Sequence, residues 1–383
     1  MSKLKLCGID FEFSGTSERV LKLICCSLKY GEKVEEYWLL NRDTKELRDR
    51  IDYLHSEGYT FLAHGVSAEA SSFISMKLYA PKYSWICTLA EYRCISNHNH
   101  EVQYGEHLID GKVKKIFPPR GYGKPATGKI KHSYAEAVYK FCGEVVDTDH
   151  KEKMRQICIR GDDQEIEENK VAIQKYCTSD LKYLKPILQK IVKHYKKLLS
   201  KSDFKKLKDD MLWRGETMAR TALMERVGYP IDFTTTKNFS DNVQEILNNC
   251  CADINSQFPD MNIFVYDWRK GKYTRKEKPI RGWIDTLPFK DRWELTKSKK
   301  YSLSLDAFGA HFQYRHDYPR GNFGAQMLRF LKLKQSLNGF SIRKGKRNFW
   351  DSVGSDTRSR PYLNPYGSQS ARYQPPSTGF LFL

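Results

Sequence analysis

The sequence predicts an α/β domain of about 195 residues followed by a mainly helical, basic region. Three observations carry this reading. The chain opens on three strand-like runs in succession. The stretch up to about residue 198 then mixes strand and helix periodicity. Near residue 200 the periodicity and the charge balance change together.

Residues 4–13 (LKLCGIDFEF) read as a strand with Ile9, Phe11 and Phe13 on one face. Residues 20–29 (VLKLICCSLK) and 34–40 (VEEYWLL) read as two more, making an antiparallel meander. A helix is expected over 43–57, closed by Gly58, then a short buried strand over 60–63 (TFLA), a helix over 67–78 and a strand at Trp85-Ile86-Cys87. Residues 97–132 mix His, Gly, Pro and Lys and read as a long loop or insertion. Residues 133–142 read as helical. One long helix is expected from about 163 to 198, with Ile166, Ile173, Leu181, Leu184, Leu188 and Ile191 at helical spacing. Beyond it, 203–227 and 234–257 read as long helices separated by Gly228-Tyr229-Pro230. Residues 262–300 read as mostly irregular and 324–337 as a helix. The expected domains are therefore 1–198 and 199–383.

The chain has 383 residues, 40% of them hydrophobic and 13% aromatic, which is ample for packed cores and excludes global disorder. No run approaches the roughly 20 apolar residues of a membrane span. The start, Met1-Ser2-Lys3-Leu4-Lys5, has no apolar signal region, so secretion is not expected. The ten cysteines include the adjacent pairs Cys25-Cys26 and Cys250-Cys251, which suit reduced thiols better than a disulfide framework or a zinc ribbon. The formal net charge of +19 is unevenly spread. Residues 1–195 carry 31 basic and 27 acidic side chains, and residues 196–383 carry 34 and 19. A basic second half points to a polyanion, with nucleic acid first. An anionic membrane surface is the weaker candidate, because the basic segments lack a clean amphipathic pattern. Basic and aromatic groups interleave at Trp268-Arg269-Lys270, Tyr273-Thr274-Arg275-Lys276 and Arg347-Asn348-Phe349-Trp350, a mixture that suits phosphates and stacked bases.

Asp10 and Glu12 leave the same face of the first strand. Two carboxylates side by side at the head of a buried strand repel and are poorly solvated. A divalent cation would relieve both problems; the bland alternative is a strand with a wet face. Glu69 follows the strand ending at Ala63, after His64-Gly65, and Tyr176 and Asp180 stand four apart on one face of the expected long helix. Alone, Tyr176 reads as a core tyrosine and Asp180 as a surface charge. His64, at a strand end, reads first as structural and second as a site group. Asn97-His98-Asn99-His100 reads as surface.

The order of these residues resembles the DEDD-type 3′–5′ exonucleases with a tyrosine in the third motif. Asp10-Phe11-Glu12, Ala63-His64 with Glu69, and Tyr176-Cys177-Thr178-Ser179-Asp180 carry the resemblance. More specifically, the chain resembles the N-terminal part of a bacteriophage-type family A DNA polymerase, to which the segment Asp147-Thr148-Asp149-His150-Lys151 with Met154-Arg155 also looks similar. The chain departs from the family at Gly65 and Ala68, where Asn and an aromatic are usual. The resemblance implies a ribonuclease H-like domain with a mixed sheet, then a thumb-like helical region and part of a palm. It implies two divalent cations, Mg²⁺ or Mn²⁺, with Asp10 bridging both. Glu12 and Asp180 would complete the first site, and Glu69 would hold the second, directly or through water. Tyr176 would orient the attacking water, and nucleoside 5′-monophosphates would leave. The implied location is the cytoplasm of an infected bacterial host.

In the second half, Glu216–Arg220 and Glu225–Asp232 resemble the start of a family A polymerase region. Residues 327–337 (MLRFLKLKQSL) resemble a thumb helix that meets duplex DNA, with Arg329, Lys332 and Lys334 as phosphate contacts. Gln369-Ser370-Ala371-Arg372 stands where the family has Thr-Gly-Arg, which assigns Arg372 to DNA. Palm carboxylates and a fingers helix do not follow Arg372. The expectation is a proofreading exonuclease that binds a single-stranded 3′ end and primer-template duplex, with synthesis requiring a second chain or an uninterrupted gene. The alternatives are a stand-alone DEDD ribonuclease and a non-catalytic DNA-binding subunit.

Overall fold

The structure is a computed structural model that describes residues 4–15, 21–96, 106–109, 112–115, 132–312, 322–340 and 348–366. Contacts group the chain into two compact units. The first holds 4–229 together with 360–366, and the second holds 230–359.

The first unit is built on a five-stranded mixed sheet in the order β3-β2-β1-β4-β5. Strands β1 (Lys5–Gly15), β2 (Leu21–Tyr30) and β3 (Lys33–Trp38) form the expected antiparallel meander. Its second turn uses Gly31 at φ +58°. Strands β4 (Tyr59–Ala63) and β5 (Trp85–Cys87) add in parallel to β1. Helix α1 (Lys45–Ser56) buries Leu47, Ile51 and Leu54, one face at helical spacing. Helix α2 (Val66–Ser75) lays Phe73 against Phe11 and Phe61, and α3 (Thr88–Ser96) follows β5. This is the ribonuclease H-like arrangement that the resemblance implied. Strands β6 (Glu106–Ile109) and β7 (Lys112–Lys115) pair within the segment expected to be a loop. Asn97–His100 lie outside the described residues.

The expected long helix over 163–198 is instead three helices, preceded by two others. Helix α4 (Tyr134–Cys142) comes first, then α5 (Thr148–Arg160), which the periodicity did not signal. Asp147 caps α5 and Asp162 caps α6 (Asp163–Glu168), each accepting two backbone N–H bonds at 3.0–3.1 Å. The chain breaks at Asn169, whose side chain donates to the Glu165 carbonyl at 2.8 Å and competes with the helical ladder. Helices α7 (Lys170–Asp180) and α8 (Leu184–Leu198) then serve different cores. Ile173 and Cys177 pack with Ile24, Met154 and Ile157, whereas Leu184, Leu188 and Ile191 pack with Leu62, Tyr92 and Ala137. One straight helix could not face both.

Helix α9 (Lys201–Val227) belongs to the first unit, so the compact units part at Tyr229 rather than at 198. Leu207 and Met211 pack with α8, and Met218, Ala219 and Ala222 join the core beneath the sheet. The fully buried Glu91 accepts from Arg214 of α9 at 2.7 and 2.8 Å and from Tyr195 at 3.2 Å.

In the second unit, α10 (Phe233–Asp241) and α11 (Val243–Gln257) replace the single helix expected over 234–257. The break falls at Asn242, whose side chain donates to the Asn238 carbonyl at 2.7 Å. The region expected to be irregular holds a hairpin of Phe264–Asp267 and Lys272–Arg275, followed by α12 (Glu277–Asp285). Helices α13 (Leu305–Phe312) and α14 (Phe323–Leu337) close the core around Phe308 and Met327. Among the described residues no helix is long and apolar enough to cross a membrane. None of the ten cysteines is disulfide-bonded.

Candidate active site

The site lies where the parallel half of the sheet gives out. Strand β1 pairs with β4 only through Gly8↔Leu62, so from Ile9 onward that edge of β1 has no strand beside it. The other edge continues along β2, with Asp10 opposite Ser27 and Glu12 opposite Cys25. Ile9 and Phe11 point into the main core, which sends Asp10 and Glu12 to the opposite face, beneath α5 and α7. The crevice outside the carboxyl ends of the strands is a general place for ligand binding in open α/β sheets.

Three other elements converge there. Gly65 turns the chain from β4 into α2 at φ +111°, and α2 then carries Glu69 to the open edge of β1, 5% exposed. The Glu69 carboxylate accepts the Phe11 backbone N–H. Gly65 takes this positive φ without the penalty that a Cβ would bring. Helix α7 sits over β1, with Cys177 Sγ donating to the Asp10 carbonyl at 3.3 Å. Its last residue is Asp180, whose carbonyl, beyond the helical ladder, accepts from the Tyr134 hydroxyl at 2.5 Å.

The electrostatics show that the four acids feel one another. Burial and then the Asp180 charge push the Asp10 carboxyl well above its ordinary range. Glu12 is raised by burial, then by Asp10, Cys25, Asp180 and Glu69. Glu69 is raised by burial, then by Asp10 and Asp180, against the Phe11 hydrogen bond. Asp180 is raised by burial, against the Lys151 ammonium that pairs with it. The Tyr176 hydroxyl is raised by burial and then by Glu12, Asp180 and Asp10, so it stays protonated. Asp10, Glu12, Glu69, Tyr176 and Asp180 thus share one neighbourhood, brought there by three elements, β1, α2 and α7.

Two observations bear on a metal. Asp10 Oδ2 and Glu69 Oε2 are buried without a hydrogen-bond partner, which leaves hard oxygen donors unsatisfied. Yet among the described residues no three acids, cysteines or histidines are drawn close enough together to hold an ion. The donor chemistry fits a hard divalent cation, and the spacing is wider than a three-ligand site. The positive charge present is Lys151 of α5. Its ammonium pairs with Asp180 and lies 4.6 Å from the Tyr134 ring centre and 5.2 Å from that of Tyr176. Sequence reasoning gave neither Lys151 nor Tyr134 a role. The available signal was the Asp147 cap, which starts a helix that places Lys151 over the sheet.

His64 is held at both ring nitrogens, Nε2 donating to the His132 carbonyl at 3.0 Å and Nδ1 bonded to Thr88 Oγ1 at 2.9 Å. This favours the structural reading. Burial, the largest cause, lowers its pKa from 6.5 to about 4. Between those values the native chain binds fewer protons than the unfolded one. Its stabilising contribution is therefore complete above pH 6.5 and lost as pH falls towards 4, about 3 kcal/mol in all. Urea unfolding of wild type and His64→Gln should show a stability gap at neutral pH that narrows through this window.

In the second unit, Arg329 and Lys332 are exposed one turn apart on α14. Lys334 points about 200° away from Lys332 and lines a cavity of about 600 Å³ with Arg275, Glu277 and Asp306. Arg372 lies outside the described residues.

No family model and no curated protein matches the sequence. Among solved structures, the chain is similar to the "POL domain of Pol1 from M. smegmatis complex with DNA primer-template and dNTP", with TM-score 0.50 and 11% identity over 97% of this chain and 52% of that one. The chain therefore spans about half the length of that polymerase domain and shares its fold. A structure described as "apo form of the nuclease" matches 57% of this chain and 85% of its own, with TM-score 0.38 and 14% identity.

Proposed function

We propose that the chain is the metal-dependent 3′–5′ proofreading exonuclease part of a phage-type family A DNA polymerase, releasing nucleoside 5′-monophosphates from DNA 3′ ends. The observation that supports this best is the convergence of Asp10, Glu12, Glu69 and Asp180 at the open edge of β1, with two buried carboxylate oxygens unpartnered. The fold shared with a polymerase domain that was solved on primer-template DNA makes DNA the first substrate class to test.

Mg²⁺ or Mn²⁺ supplies, when bound, a water of lowered pKa and charge neutralisation at the departing oxygen. Asp10, Glu12, Glu69 and Asp180 would hold the two cations. The protonated Tyr176 hydroxyl is placed to orient the attacking water. Lys151 pairs with Oδ1 of Asp180 and would orient that carboxylate, whose Oδ2 is the oxygen left to act as a ligand. Arg329, Lys332, Lys334 and Arg372 are proposed phosphate contacts. DNA synthesis would need palm carboxylates and a fingers helix besides these residues.

The test uses end-labelled single-stranded DNA and matched RNA, with divalent cation or chelator. Wild type should shorten DNA from the 3′ end only with the cation, and the Asp10→Ala, Glu12→Ala double variant should not. Exonuclease activity that survives in the double variant overturns the assignment. Shortening of RNA alone replaces the substrate.

A further inference from the structure

We infer that the hairpin of Phe264–Asp267 and Lys272–Arg275 is a stacking platform for single-stranded DNA, with Trp268 as the stacking ring and Arg269 and Lys272 as phosphate contacts. This rests on the reading of the chain as a DNA-acting protein. It assigns a binding role to residues far in sequence from the acids and outside α14.

The tip is built to hold an indole in water. Trp268 is 86% exposed, at the first position of the turn. Asp267 organises that turn. Its side chain accepts the Arg269 N–H at 3.1 Å, its carbonyl accepts the Lys270 N–H at 3.1 Å, and its carboxylate pairs with the Lys270 ammonium at 3.2 Å. Gly271 closes the loop at φ +59°. The one acid at the tip is thus consumed by Lys270. Among the described residues no acid pairs with Arg269 or Lys272, and both are exposed. From 265 to 278 the chain carries six basic and two acidic side chains, and the second acid, Glu277, pairs with Arg281.

The platform is also rigid. Trp268 packs edge-on against Tyr266 at 4.5 Å, and Tyr266 against its cross-strand partner Tyr273 at 5.1 Å. Two isolated strands are marginally stable in water, so the hairpin needs anchors. Phe264 provides one, against Phe330 of α14 at 5.1 Å. Asn248 of α11 provides another, donating to the Gly271 carbonyl at 3.0 Å and accepting the Tyr273 N–H at 3.3 Å. A lone exposed apolar residue is ordinary on a protein surface. An exposed indole braced by Tyr266, on the same hairpin as the exposed cations Arg269 and Lys272, is the combination that binds single strands, with the base on the ring and the backbone on the cations. A paired duplex keeps its bases stacked on one another and offers Trp268 a face only at its two terminal pairs, so a duplex closed at both ends by hairpin loops is the control.

The test is binding of a labelled oligo(dT) in chelator, in the Asp10→Ala, Glu12→Ala background so that nothing is cleaved. Trp268→Ala should weaken binding roughly tenfold to a hundredfold, and Trp268→Phe should stay within about threefold of the parent. The closed duplex, of equal length, should bind Trp268→Ala and the parent alike. Arg269→Ala with Lys272→Ala should reduce the salt dependence by a slope of about 1.4. Unchanged oligo(dT) binding in Trp268→Ala, or an equal loss on duplex, overturns the platform. Tighter binding of oligo(rU) than oligo(dT) overturns its assignment to DNA. Binding through Trp268 by a wild-type chain that cleaves nothing sinks the nuclease reading alone. Cleavage without Trp268-dependent binding sinks this inference alone.

Discussion

The Asp10→Asn, Glu12→Gln double variant will resist urea better than wild type in the presence of chelator, and it will gain nothing from added Mg²⁺ or Mn²⁺. Asp10 and Glu12 are half-buried, and desolvation together with repulsion from their acidic neighbours pushes both carboxyls well above their ordinary range, so each is unfavourable at neutral pH whether it bears its charge or takes up a proton. The amides keep the shape, remove the repulsion and bring N–H donors to a pocket where Glu69 Oε2 has none. The expected gain is about 1–3 kcal/mol. Wild type should recover a similar amount from the cation, about 2.7 kcal/mol at a hundred times its dissociation constant. Hydrolysis should fall by at least about 10³-fold in the variant, the scale of losing one preorganised electrostatic stabiliser. A variant that is less stable than wild type, beside a wild type that ignores the cations, would mean that the acids serve the fold and not a metal.

Ile9-Asp10-Phe11-Glu12-Phe13 alternates as any half-buried strand does, so the acidic pair alone was equally legible as a wet face, and the candidate site came from the order of Asp10, Glu12, Glu69, Tyr176 and Asp180 along the chain. Tyr176 and Asp180 could be placed on one face because four-residue spacing holds within α7, although α7 is only a fragment of the expected helix. The three-way division of 163–198 was hidden for a physical reason. Periodicity reports that apolar residues recur, not that Ile173 and Leu188 bury into different cores. Lys151 was hidden by its type, since a lysine in a polar helix reads as solvated until tertiary structure brings Asp180 and two tyrosine rings to it. The hairpin that carries Trp268 was read as irregular because its strands are only four residues each, too short for alternation to show although Phe264, Val265, Tyr266, Tyr273 and Thr274 favour strands.

The same glycine-to-alanine substitution will have opposite signs at two helical positions. Gly282 lies inside α12 with no atom within reach of an added methyl, so Gly282→Ala removes backbone freedom from the unfolded chain alone and should stabilise by about 0.5–1 kcal/mol. Gly215 lies inside α9 where the helix crosses β5, and a Cβ there would overlap the carbonyl carbon and oxygen of Trp85. The obstacle is backbone in a strand, which cannot rotate aside as a side-chain tip can. Relief requires α9 to lift from the sheet, loosening Met218, Ala219 and Ala222 in the main core and the buried Glu91–Arg214 pair at once. Overpacking alone takes about 1–3 kcal/mol, and an exposed break in that ion pair would add to it, so Gly215→Ala should lose at least about 3 kcal/mol. Urea unfolding of both variants, followed by tryptophan fluorescence, reads the two signs. A mild effect at Gly215 would show that α9 docks loosely, and the first folded unit would then end near residue 198. A large one would mean that any fragment cut before α9 has lost the helix that closes the core of the first unit.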